Sequence, residues 1–177
     1  MHDERSTFGE LVERHQKKIF QVALSILGDK EEALDITQDV FIKAFRAYND
    51  FRHEASTETW LIRITINRVR DHLRGEKLKR LVFLKPGKAL DNEIETVADM
   101  DPSPHEKVSG NQLQAIIKEF QLSLRGRQKV VFALRFGSGY TIREISELTG
   151  MSQSSVKTHL YRALDKAQTQ LSEWSAP

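Results

Sequence analysis

The sequence predicts an all-α protein made of two small helical domains joined by an acidic, flexible linker. Three observations carry that prediction. Apolar residues recur at three- and four-residue steps in one segment after another, and no segment sustains the period-two alternation with β-branched residues that strands require. Between Asp91 and Glu106 the composition changes, with six acids, no Lys or Arg, and the prolines Pro102 and Pro104.

From Thr7 to Leu27 the residues Phe8, Leu11, Val12, Ile19, Val22, Ala23 and Ile26 form an apolar stripe, and Thr7 with Glu10 has the capping-box pattern of a helix start. Gly28 suits a left-handed C-cap, and Asp29 suits the N-cap of a second helix whose first turn carries Glu31 and Glu32, favourable against the helix dipole. That helix is expected to run to about Tyr48. Its inner face reads Ala33, Ile36, Thr37, Val40, Phe41, Ala44 and Phe45, and its outer face Asp35, Gln38, Asp39, Ile42, Lys43 and Arg46. A polar loop around Phe51 leads to a third helix from about Thr59 to beyond Arg74, and the three helices make one bundle.

After the acidic stretch, Ser103, Pro104 and Glu106 supply an N-cap, a first-turn proline and a capping-box partner, followed by the stripe Leu113, Ile116, Ile117 and Phe120. A further helix is expected over Arg127 to Phe136, ended by Gly137-Ser138-Gly139, and two more start at Ile142 and Gln153. The resulting boundaries are 1–82 for the first domain, 83–103 for the linker and 104–177 for the second domain.

Bulk composition mainly excludes. The 177 residues contain no cysteine, which removes disulfides, zinc ribbons and iron–sulfur clusters from consideration. No apolar run approaches the ~18 residues of a membrane span, so neither a signal peptide nor membrane insertion is expected and a cytoplasmic location is. The 27 basic and 25 acidic residues nearly cancel, so only their placement can point to an anionic partner.

The sharpest local pattern runs from Thr141 to Leu160. Thr141 and Glu144 box a short helix, Gly150 supplies a turn and Ser152 caps a second helix; Ile145, Leu148, Val156 and Leu160 face inward, and small Ser146 sits at the close approach. Gln153, Ser154, Lys157, Thr158, Tyr161 and Arg162 then point outward, as a major-groove reading helix requires, while Ser155 and Arg143 suit phosphates. An ordinary helical hairpin with a polar face is the plain alternative.

A second cationic surface lies in the first domain. Arg63, Arg68, Arg70, Arg74, Lys77, Lys79 and Arg80 stand against only Asp71 and Glu76, a density able to neutralise several phosphates. Phe51, Trp60 and the polar loop precede it, and aromatic plus basic residues suit unstacked single-stranded bases; a solvated basic face with Trp60 in the core is the alternative.

Together these segments resemble the extracytoplasmic-function group of the sigma-70 family. Ala33 to Phe45 is similar to that family's polymerase-binding helix, Thr59 to Asn67 to its promoter-melting segment, and the stretch from Arg127 onward to its region 4. The resemblance implies a non-enzymatic subunit in which Asp35, Gln38 and Asp39 dock on core RNA polymerase. It also implies that Phe51, His53, Glu54, Ser56, Trp60, Arg63, Asn67, Arg70 and Arg74 bind and melt a −10 element, the loop from Phe51 to Glu58 capturing a flipped base and Asn67 reading its neighbour. Arg143, Gln153, Ser154, Ser155, Lys157, Thr158, Tyr161 and Arg162 would bind a duplex −35 element. Val131, Leu134, Phe136 and Leu164 would pack the second core or meet the polymerase, an anti-sigma factor is implied as partner, and no cofactor or metal is called for. The chain departs from the family at Leu124-Arg125-Gly126, which lacks a common proline, and at Ser146, which replaces a common alanine. A helix-turn-helix activator or repressor acting without polymerase is the competing function, and it accounts only for the C-terminal third. No ligand set, phosphate loop or nucleophile motif supports an enzyme.

Overall fold

The computed structural model describes residues 2–51, 55–83, 119–121 and 123–174. Helices α1 (His2–Leu27), α2 (Lys30–Ala47) and α3 (Thr57–Phe83) form the N-terminal half. The C-terminal half contains α4 (Gly126–Phe132), which continues as a π turn over Ala133–Gly137, then α5 (Ile142–Thr149) and α6 (Gln153–Trp174). No strand occurs among the described residues.

Local chemistry sets most helix ends. Gly28 turns left-handed at φ 78°, and its N–H donates to the Leu24 carbonyl at 2.8 Å. Asp29 then accepts the Glu32 N–H at 2.9 Å as the N-cap of α2. Helix α1 departs from expectation by starting at His2, so Thr7 lies inside a helix and marks no cap. The segment from His2 to Ser6 contains neither Pro nor Gly, so no helix breaker precedes Thr7.

Helix α3 starts at Thr57, two residues before the expected position. Ser56 caps it: its hydroxyl oxygen accepts the Thr59 N–H at 3.1 Å, and the Ser56 carbonyl accepts the Trp60 N–H at 3.0 Å.

The helix expected from Arg127 to Phe136 is instead split at Phe132. Ser138 donates its N–H to the carbonyl of Ala133, five residues back, at 3.0 Å, and Tyr140 donates to Leu134 at 3.0 Å. This wider turn accommodates one extra residue per hydrogen-bonded loop. It leaves Leu134 fully buried while Phe136 is 54% exposed. The resumption of helix at Ser103 to Glu106, and Leu113, Ile116 and Ile117, lie outside the described residues; Phe120 is helical and packs edge-on against Phe132 at 5.2 Å.

The core shows what periodicity alone did not. One hydrophobic cluster runs from Phe8 through Ile19, Ile36, Leu61 and Ile66 to Val130, Leu134, Ile145 and Leu160, so both halves share it. Helix α1 packs on α2, α3 and the π turn, and α3 packs on both α4 and α5. Two small helical units each have little interior of their own, and their union enlarges the apolar area removed from water. Buried Thr37 donates its hydroxyl to the Ala33 carbonyl at 2.7 Å, and buried Thr65 donates its own to the Leu61 carbonyl at 2.8 Å.

Candidate nucleic-acid interface

The α5–α6 pair is held by the contacts its sequence predicts. Thr141 and Glu144 form a reciprocal capping box: the Glu144 carboxylate accepts the Thr141 N–H at 2.7 Å and its hydroxyl at 2.8 Å, and the Thr141 oxygen accepts the Glu144 N–H at 3.3 Å. The Thr141 N–H, then its hydroxyl, hold the Glu144 carboxyl below the usual carboxylate range, with Lys18 adding to the effect. Ser146 donates its hydroxyl to the Met151 carbonyl at 2.6 Å, which ties α5 to the turn. Ser152 caps α6 by accepting the Ser155 N–H at 3.2 Å.

Gly150 adopts φ 70° and donates its N–H to the Ser146 carbonyl. A Cβ at this position would meet nothing within 4 Å, so its cost is conformational alone. Gly150→Ala is expected to destabilise the turn by about 1–2 kcal/mol, the strain of a left-handed residue with a side chain. A thermal melt of the two proteins checks this, and an unchanged midpoint contradicts it.

With Ile145 and Val156 fully buried between the two helices, the outward face of α6 is fixed. Gln153, Ser154, Lys157, Thr158, Tyr161 and Arg162 are all exposed on it, as expected, and Tyr161 is 67% exposed. Thr158 donates its hydroxyl to the Ser154 carbonyl at 3.0 Å. Ser155 is half-buried beside Ser152, which donates to its hydroxyl at 2.9 Å. Arg143 is exposed and pairs with Glu147 at 3.1 Å.

Two residues on this side were missed by the sequence reading. His159 carries a buried, unpartnered Nδ1, and burial, followed by the charges of Arg127 and Arg162, pushes its pKa down. Arg127 joins Arg70 of α3 in lining a cleft of about 300 Å³ with Ile66, Val130, Thr149 to Ser152, and Ser155. Nothing local in the sequence brings Arg70 and Arg127 together.

Phe51, in the loop before α3, stacks on Trp60 with centroids 4.5 Å apart, and Trp60 packs partly against the core. Arg63 and Asn67 are exposed, and Arg63 donates to the Glu147 carbonyl at 3.1 Å. Arg74 pairs with Asp71 at 3.6 Å and Lys79 with Glu76 at 2.9 Å, so neighbouring acids offset part of the cationic density. The Ser56 hydroxyl is engaged at the start of α3, which leaves it as a cap before it is a base contact. His53 and Glu54 lie outside the described residues.

The outer face of α2 carries Asp35 and Gln38, both exposed. Asp39 is different: it forms an ion pair with Arg68 of α3. The same side exposes Leu34, Ile42 and Phe45 to 45%, 52% and 50%. Phe45, expected on the inner face, instead sits at its rim, edge-on to Phe8 at 5.1 Å. An open groove of about 450 Å³ runs between Phe8, Phe41, Ile42, Phe45 and Arg46. Large apolar residues thus lie exposed around Asp35 and Gln38 on one face of α2.

Comparison with known proteins gives this geometry its family. Residues 11–78 match Sigma-70 region 2 and residues 119–166 match Sigma-70, region 4. The RNA polymerase sigma factor NccH of Alcaligenes xylosoxydans xylosoxydans is 30% identical over 161 residues, covering 90% of this chain and 83% of the relative. The chain belongs to the extracytoplasmic-function group of the sigma-70 family. Within that group, the ECF RNA polymerase sigma factor SigW of Bacillus subtilis is 28% identical, covering 95% of this chain and 90% of SigW. The sigma factor RpoE of Bartonella quintana, solved in complex with the anti-sigma factor NepR, shares the fold at a TM-score of 0.64 and 23% identity, covering 94% of this chain and 97% of that one. In this sigma-70 member, the region 2 match lies within the span of α1 to α3, and the region 4 match runs from residue 119 through α4 and α5 into α6. No described helix is long and apolar enough to cross a membrane.

Proposed function

We propose that the chain is a non-enzymatic, cytoplasmic specificity subunit that directs core RNA polymerase to promoters. One observation carries this reading: a capped α5–α6 pair presents Gln153, Lys157, Tyr161 and Arg162 to solvent on the same chain whose α3 carries Arg63, Asn67, Arg70 and Arg74 behind a Phe51–Trp60 stack. The first surface suits the major groove of a duplex −35 element, where Gln, Lys and Arg can reach base edges. The second suits the unpaired strand of a −10 element, because aromatic rings stack on exposed bases and guanidinium groups follow the backbone. Captured bases favour the melted duplex, since unstacking costs a few kcal/mol that pocket contacts offset.

Asp35, Gln38 and Asp39 are assigned to the polymerase contact. With Asp39 engaged by Arg68, the binding energy at that face comes chiefly from Leu34, Ile42 and Phe45, and Asp35 and Gln38 set orientation. The acidic segment between the halves would follow a cationic path on the polymerase, and an anti-sigma factor would occupy the same exposed surfaces.

Transcription with purified core polymerase on a randomised promoter library tests the proposal. Addition of the chain is expected to produce RNA starting downstream of two recurrent sequence elements. Sequence-specific duplex binding without polymerase, together with no initiation when core enzyme is present, identifies the protein instead as a helix-turn-helix activator or repressor.

A further inference from the structure

Several cations of α3 have partners on the protein. Arg68 pairs with Asp39, Arg74 with Asp71 and Lys79 with Glu76, while Arg63 donates to the Glu147 carbonyl. Arg70 is different. It is half-buried, yet among the described residues no carboxylate lies within ion-pair distance of it. A guanidinium drawn partly out of water without a counter-charge is costly. Arg70 lines the cleft of about 300 Å³, and the second cation there is Arg127 of α4, which likewise has no acid partner among the described residues. Arg127 stands in the first turn of α4, where the helix dipole disfavours a cation, so helix stability does not account for it. No Asp or Glu lines the cleft.

The start of α6 adds donors to the same cleft. Ser152 donates its hydroxyl to the Ser155 oxygen at 2.9 Å and accepts the Ser155 N–H at 3.2 Å. A hydroxyl has one proton to give, and no acceptor among the described residues takes that of Ser155. The first-turn amides of a helix lack intrahelical partners, and the dipole at that end favours an anion. The excess positive charge is felt beside the cleft as well. Burial, then the charges of Arg127 and Arg162, hold His159, one turn beyond Ser155, below the usual imidazole range.

We propose that this cleft binds a small phosphorylated molecule, held through its phosphate groups by Arg70, Arg127 and Ser155. Guanidinium forks match phosphate oxygens in pairs, and two of them from different helices suit the multiple charge of a phosphate monoester or a diphosphate. No aromatic residue lines the cleft, so no nucleobase is stacked there, and the rest of the ligand lies against Ile66, Val130 and Met151. The volume is at the small end for a ligand pocket, and a duplex whose major groove alone is about 12 Å wide cannot enter it. The proposal does not rest on the promoter-binding reading, although Arg70 serves in both. Arg127, which that reading leaves unassigned, tells the two uses apart.

Calorimetric titration of the full chain with inorganic pyrophosphate, at fixed ionic strength and without DNA or polymerase, is the test. Saturable binding at one site is expected. Arg127→Ala and Arg70→Ala should each weaken it by about tenfold to hundredfold, the loss of a hydrogen bond between charged groups. Lys17→Ala, which removes an exposed cation of α1 outside the cleft, should leave it unchanged. Arg127 is exposed, so its variant should keep the helical circular dichroism and melting midpoint of the parent even if replacement of half-buried Arg70 disturbs the fold. Fluorescent single-stranded DNA provides the other arm, because a nucleic-acid backbone presents the same phosphate chemistry. Arg127→Ala should weaken pyrophosphate binding far more than strand binding, and equal losses assign the cleft to the backbone of a nucleic acid and overturn the proposal. No saturable binding at millimolar pyrophosphate, or an equal loss in Lys17→Ala, overturns it too. Failure to initiate transcription with pyrophosphate binding intact overturns the sigma-factor function and leaves the site standing.

Discussion

Replacing both Lys157 and Arg162 with alanine is expected to weaken binding to a −35 duplex by at least about thirtyfold, from roughly 1–3 kcal/mol for each of the two lost base-edge pairs. Both side chains are exposed on the face of α6 opposite buried Val156 and Leu160, so the substitutions remove contacts to the partner and leave the helix pair packed. The logarithmic salt dependence should become shallower, by about one unit for each cation that had met a phosphate. Arg143→Ala provides the contrast. Its guanidinium lies on α5, paired with Glu147, and a phosphate contact from there weakens all sequences alike without relaxing preference at any base. Titration of duplexes from the selected promoter pool at two salt concentrations separates the two effects. Equal losses on matched and mismatched duplexes for the α6 double variant would show that this helix reads the backbone alone.

Leu134→Ala is expected to cost the whole chain about 2–5 kcal/mol. Leu134 is fully buried in the π turn, which packs on α1, and it belongs to the cluster that also contains Ile19, Ile66 and Ile145. Removing three carbon atoms there leaves a cavity lined by residues from both halves, which neither half can close by local relaxation. Because the core is shared, the variant should unfold in denaturant as one transition at a lower midpoint, with near-ultraviolet signals from Trp60 and helical signal falling together. Two resolved transitions, only one of them shifted, would show that the halves are energetically separate units that merely touch.

The sequence was informative wherever the physics is local. The Asp29 cap, the Gly28 and Gly150 turns and the Thr141–Glu144 box all depend on groups within four residues of one another, and each stands where it was expected. The outward face of α6 was equally readable, because Ile145, Leu148, Val156 and Leu160 leave a short helix pair only one way to bury its apolar stripe. Local patterns misled at three places. Thr7 and Glu10 have the spacing of a cap, yet nothing upstream of them halts the helix. The π turn has no pattern of its own, since its extra residue is fixed by what Leu134 and Gly137 meet on α1. Phe45 has the right periodicity for the interior but lies at the rim, where α1 offers only the edge of Phe8.

Amino-acid order alone was thus enough for the helical class, the capped helix-turn-helix, the two cationic surfaces and the family they belong to. Which charges pair, and which surfaces meet, came from folding: Asp39 is engaged by Arg68, 29 positions away, Arg63 by Glu147, 84 positions away, and Ser25 by Ser138, 113 positions away. Hydrophobic periodicity says that a face will be buried and is silent on what buries it. Here each half lacked enough interior to satisfy its own apolar surface, and that shortage is what brings the two halves onto one core.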